Sequence, residues 1–79
     1  MRILDEDSDK KLDTVSLFLT KEEATQLQAY LRQLPDNPKL QHIHLSSSDY
    51  QKEITLCLYD QENLANLNQR SIKLINEDR

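Results

Sequence analysis

Residues 12–34 read LDTVSLFLTKEEATQLQAYLRQL, and a change of period within this stretch decides the fold class. Val15, Leu17 and Leu19 alternate with Thr14, Ser16 and Phe18, at the period of two that a half-buried strand requires. Thr20-Lys21-Glu22-Glu23 then forms a capping box, in which the Thr20 hydroxyl and the Glu23 carboxylate satisfy each other's backbone N–H groups. Leu19 and Ala24 stand at the positions of a hydrophobic staple across this start. Ala24, Leu27, Leu31 and Leu34 follow on one helical stripe with Tyr30 at its margin, and that face must pack on something. Pro35 lacks an amide donor and biases Leu34 away from helical geometry, so the helix is expected to end there.

Working outward, residues 1–11 hold Asp5, Glu6, Asp7, Asp9, Lys10 and Lys11 with Ile3 and Leu4 as apolar anchors, which predicts a flexible acidic N-terminal arm. On the other side, Pro35 to Lys39 reads as a short connection. Leu40 to Leu45 alternates again, with Ile43 and Leu45 on one face and Leu40, His42 and His44 on the other, as in a second strand. Ser46-Ser47-Ser48-Asp49 is a turn cluster whose side chains compete for backbone hydrogen bonds. It predicts a hairpin into a third strand, Glu53 to Tyr59, with Ile54, Leu56 and Leu58 on one face and Glu53, Thr55, Cys57 and Tyr59 on the other. Asp60 is a cap for a last helix carrying Leu64, Leu67, Leu74 and Ile75, with Ile72 at the edge of its stripe.

The resulting order, β-α-β-β-α, predicts an α+β fold over residues 12–79, a single domain with both helices on one face of a three-stranded sheet. The right-handed crossover rule permits strand order 1-3-2, with the third strand between the first two, and this is the arrangement expected. The 79 residues leave little room for a deep cleft, and the connections are too short for a second domain.

Composition narrows the function classes. Hydrophobic residues at 37% and charged residues at 30% belong to a globular chain. The longest apolar runs, such as Leu17 to Leu19 and Leu56 to Leu58, are far short of the roughly 20 residues that cross a bilayer. Met1-Arg2-Ile3-Leu4 followed by acidic residues is no secretory signal, and a single cysteine forms no internal disulfide, so a cytoplasmic location is expected. The net charge of −4 opposes nucleic acid and anionic lipid and favours a basic protein partner.

Absence of glycine removes the phosphate-binding loops that need close backbone approach. Both expected helix starts are acidic, with Glu22 and Glu23 in one and Glu62 in the other, and would compete with an anion there. Tyr30, Tyr50 and Tyr59 are not interleaved with a basic run, and Arg70, Lys73 and Arg79 are balanced by Glu77 and Asp78, which argues against nucleic-acid binding.

His42-x-His44 is the most suggestive pair, because alternation sends both imidazoles to one face where a hairpin brings Cys57 and Thr55 opposite. Two imidazoles and a thiolate are zinc-type ligands, yet the fourth ligand would have to be Glu53, Tyr59 or water, and no CxxC or HExxH spacing supports a site. Cys57 with His42 has the chemistry of a nucleophile and base, but an open strand face supplies neither a dry pocket nor oxyanion donors. The carboxylates at Glu22, Glu23, Asp49, Glu53, Asp60 and Glu62 sit at caps and turns, where structural roles account for them.

With the helices covering Val15, Leu17, Leu19, Ile43, Leu45, Ile54, Leu56 and Leu58, the opposite face displays Phe18, Leu40, His42, His44, Cys57 and Tyr59. Such a face is apolar for a solvated surface and is expected to be an association surface. The expected protein is therefore a noncatalytic interaction module without a cofactor, binding a second copy or another protein, an inhibitor or immunity protein being one form. Alternatives are a metal-binding or sensing protein using His42, His44 and Cys57, and an enzyme whose site is completed across a dimer.

Overall fold

In a computed structural model that describes residues 1–36 and 42–79, the chain is a small α+β fold of two helices and two two-stranded antiparallel sheets. The elements are β1 (Ile3–Asp5), β2 (Lys10–Leu12), α1 (Lys21–Gln33), β3 (His42–Ser46), β4 (Glu53–Cys57) and α2 (Gln69–Glu77). They fall into two compact units, Met1–Leu17 with Tyr59–Arg79, and Phe18–Leu58.

In the first unit, β1 pairs with β2 in the register Ile3↔Leu12, Leu4↔Lys11 and Asp5↔Lys10. The segment expected to be a flexible arm thus contains a hairpin. Its turn is held by Asp5 Oδ1, which accepts the Asp7 amide at 3.1 Å and the Ser8 amide at 3.4 Å, and by Asp9 in the left-handed region at φ 58°. Arg2 donates through Nε to Leu74 O at 3.1 Å and through Nη2 to Ile75 O at 3.1 Å, supplying a cation to the carbonyls at the end of α2. Asp78 closes that helix in the left-handed conformation at φ 55°. Leu74 and Ile75 are buried, with Ile3, Leu4, Leu12, Leu64, Leu67 and Ile72 partly covered.

α2 begins at Gln69, later than the start expected at Asp60. Three polar residues compete for the cap. Asp60 Oδ1 accepts from Glu62 N at 2.9 Å and Asn63 Oδ1 from Ala65 N at 3.4 Å, each closing a turn, and Asn68 accepts from Ser71 N at 2.8 Å to open the helix. Leu64 and Leu67 consequently lie outside the helical stripe.

In the second unit, α1 follows the sequence closely. Thr20 is its N-cap with both halves of the capping box formed, and the Leu34 amide donates to Tyr30 O at 3.1 Å just before Pro35. α1 packs against β3. β3 and β4 pair in the register His42↔Cys57, Ile43↔Leu56, His44↔Thr55, Leu45↔Ile54 and Ser46↔Glu53. The hairpin turn is the expected serine-rich cluster: Ser47 Oγ donates to Asp49 Oδ1 at 2.6 Å, and Asp49 Oδ1 accepts from Gln51 N at 3.1 Å. Ile43, Leu45 and Leu34 are buried, and Ile54 and Leu56 are partly covered on the same parity.

The three-stranded sheet of order 1-3-2 is not formed among the described residues. Leu12 closes β2, and residues 14–19, expected as the first strand, lie in neither helix nor strand, leaving Val15, Leu17 and Leu19 exposed. Alternation states which side chains share a face but names no pairing edge, and here the local hairpin takes residues 10–12. β4 ends at Cys57, so Leu58 and Tyr59 are outside the strand. Residues 40 and 41 of the expected second strand lie outside the described residues.

Candidate functional site

Strand parity places His42, His44, Thr55 and Cys57 on the face of the β3–β4 hairpin opposite buried Ile43 and Leu45. His42, His44 and Cys57 are exposed there, and Cys57 stands across from His42 in register. The two imidazole rings meet edge to face, with centroids 4.9 Å apart. His44 Nδ1 lies 2.9 Å from Glu53 Oε1 and 2.9 Å from Thr55 Oγ1. The carboxylate can only accept, so Nδ1 is the donor of this pair.

The sequence thus brings His42, His44 and Cys57 together as expected. Among the described residues, however, no group of three or more His, Cys, Asp or Glu side chains is arranged to hold a metal ion. His44 directs its Nδ1 to Glu53 and Thr55, so those neighbours orient an imidazole on an open surface.

The remaining residues expected on this face are distributed differently. Phe18 belongs to the same unit and is 95% exposed. Tyr59 belongs to the other unit and is exposed, and Leu40 lies outside the described residues.

A second apolar surface was not singled out by the sequence. Leu19, Ala24, Leu27 and Leu31 line a shallow open trough along α1, with Gln28 and Arg32 on its rim. The α1 stripe was expected to be covered throughout, yet Leu31 is 46% exposed whereas Leu34 is 3% exposed. α1 therefore buries its C-terminal end and leaves its middle uncovered.

A third feature is electrostatic. Lys10, Lys11, Arg70, Lys73 and Arg79 line a shallow depression of about 300 Å³ together with one acid, Asp9. Arg70 is fixed there by Nε donating to Asp9 Oδ1 at 2.7 Å, Nη2 to Asp9 O at 3.2 Å and Nη1 to Arg79 O at 2.8 Å. Lys11 pairs with Asp13 at 2.7 Å, and that hydrogen bond holds its ammonium above the usual lysine range. Arg79 pairs with Glu77 at 3.1 Å. Within this unit Asp78 is shared between Arg2 at 3.7 Å and Lys11 at 3.9 Å. The sequence signals were the adjacent Lys10-Lys11 and the helical spacing of Arg70 and Lys73; reading residues 1–11 as an arm kept them apart.

No family model matches the chain, and neither the curated proteins nor the solved structures contain a significant match to it.

Proposed function

We propose that this chain is a noncatalytic protein-interaction module that self-associates through the open face of β3 and β4, with Phe18, His42, His44 and Cys57 at the contact. The observation that carries the reading is the near-complete exposure of Phe18 in a chain whose buried apolar core among the described residues is Leu34, Ile43, Leu45, Leu74 and Ile75. A phenyl ring left in water forfeits about 1.5–3 kcal/mol of burial, which association recovers. The Thr55 hydroxyl on the hairpin face carries a low desolvation cost, and the Glu53 carboxylate there is paired with His44 at 2.9 Å.

Among the described residues, each strand of the two-stranded sheet also has one unpaired edge. In the associated form, residues 14–19 of the partner copy supply the third strand along the outer edge of β4, giving the order 1-3-2 within the assembly. Val15, Leu17 and Leu19 then gain the half-buried environment that their alternation calls for. A cytoplasmic location and a role of the inhibitor or immunity type are consistent with the single cysteine and the acidic balance.

Sedimentation equilibrium across a hundredfold range of concentration tests the reading. A reversible monomer–dimer equilibrium, with amides 14–19 gaining hydrogen-exchange protection as concentration rises, is the expected outcome. A monomer throughout that range overturns it.

A further inference from the structure

The open face of β3 and β4 carries two imidazoles whose surroundings differ. His42 and His44 meet edge to face with ring centroids 4.9 Å apart. His44 Nδ1 has Glu53 Oε1 at 2.9 Å, whereas among the described residues no carboxylate lies within 4 Å of His42. Resting on the association reading above, and adding its regulation, we infer that protonation of His42 releases the contact between two copies, so that the face associates at neutral pH and separates in mild acid.

Imidazole is the side chain whose charge ordinarily changes between about pH 5 and 8. In the free chain both rings are exposed, and a proton on either is hydrated. In the contact a charge gives up its water, and the cost is offset only where an opposite charge takes the water's place. Glu53 stands in that position for His44. His42 has Cys57 across from it in register and a second imidazole as its ring neighbour. A cation on one of these rings also opposes a cation on the other. The contact therefore accepts His42 as the neutral imidazole, while the separated chains accept it in either form. Separated chains thus bind more protons than the dimer, and the dimer weakens as pH falls through the imidazole range.

Glu53 and Cys57 on β4 are the other titratable groups of this face. α1, which packs against β3, carries Lys21, Glu22, Glu23 and Arg32, and among the described residues neither of its carboxylates lies within 4 Å of an imidazole. In the hairpin turn, Asp49 is engaged by the Ser47 hydroxyl and the Gln51 amide. The chain as a whole has a net charge of −4 that shrinks as pH falls, which by itself favours association in acid. The weakening inferred here has the opposite sign, so the two effects are separable.

The test is sedimentation equilibrium of the full chain at about pH 7.5, 6.5 and 5.5 and constant ionic strength, with circular dichroism at each pH as the check on folding. A dimer dissociation constant that rises at least about tenfold from the highest pH to the lowest is expected. His42→Gln, whose side chain takes no proton, is expected to limit the rise to less than about threefold. Glu53→Gln leaves His44 without its carboxylate as well and is expected to steepen the rise, and Cys57→Ser to preserve it. A dimer of the same strength at every pH, or an equal rise in His42→Gln and the unsubstituted chain, would overturn the inference and leave the association reading standing. A monomer at every pH would overturn both.

Discussion

Thr20 and Glu23 satisfy each other's backbone amides: Thr20 Oγ1 accepts from Glu23 N at 3.2 Å, and Glu23 Oε1 accepts from Thr20 N at 2.9 Å. Both donors lie at a helix start, where no intrahelical carbonyl reaches them. Thr20→Ala removes one acceptor and is expected to cost about 0.5–2 kcal/mol while the chain still folds. A urea denaturation midpoint unchanged within error contradicts the capping role.

The uneven burial of α1 gives opposite expectations for leucines on one stripe. Leu34→Ala and Leu45→Ala each remove a buried side chain and are expected to cost about 2–5 kcal/mol. Leu31→Ala, at a half-exposed position, is expected to cost less than about 1 kcal/mol in the monomer. Thermal unfolding of dilute samples, where association is suppressed, compares them. A loss at Leu31 equal to that at Leu34 would show that the trough is covered in the monomer.

Two turn carboxylates make the hairpins acid-sensitive. The Ser47 hydroxyl, followed by the Gln51 amide, holds Asp49 below its ordinary value of 3.8, and the Ser8 hydroxyl and amide do the same for Asp5. A depressed folded-state value means that the stabilisation is fully present above the ordinary carboxylate range and is lost as pH falls through the depressed value. Turn amide shifts at Gln51 and Ser8 are therefore expected to titrate below pH 3.8. In Ser47→Ala the Asp49 titration moves upward. Titration of Asp49 at its ordinary value in the unsubstituted chain contradicts the hydrogen-bonded turn.

A lysine placed on the proposed association surface would have to be desolvated on dimerisation. Phe18→Lys is expected to weaken dimerisation at least tenfold, about 1.4 kcal/mol, with the circular dichroism spectrum unchanged. Dimerisation of unchanged strength in this variant removes Phe18 from the contact.

What the sequence disclosed and what it withheld divide along the range of the interactions. The Thr20 cap, the stop before Pro35 and the serine-rich hairpin turn are local, and each is found where its residues place it. Parity in β3 correctly separates Ile43 and Leu45 from His42 and His44, and the antiparallel register brings Cys57 opposite His42. The alternation at Val15, Leu17 and Leu19 misled because a period of two specifies a face and leaves the pairing edge open. The start of α2 was obscured by Asp60, Asn63 and Asn68, all suited to capping, of which Asn68 opens the helix. The basic depression was hidden because it joins positions such as Asp9 and Arg70, which are 61 residues apart.

The central claim, that the β3–β4 face is the contact between two copies, is tested most directly by isotope-filtered NMR on an equal mixture of labelled and unlabelled chain. The account predicts intermolecular NOEs from the ring protons of His42, His44 and Phe18 and from the Cys57 β-protons, at concentrations where sedimentation shows the dimer. Intermolecular NOEs confined to Leu19, Leu27 and Leu31 of the α1 trough, or none at all from the hairpin face, would contradict it.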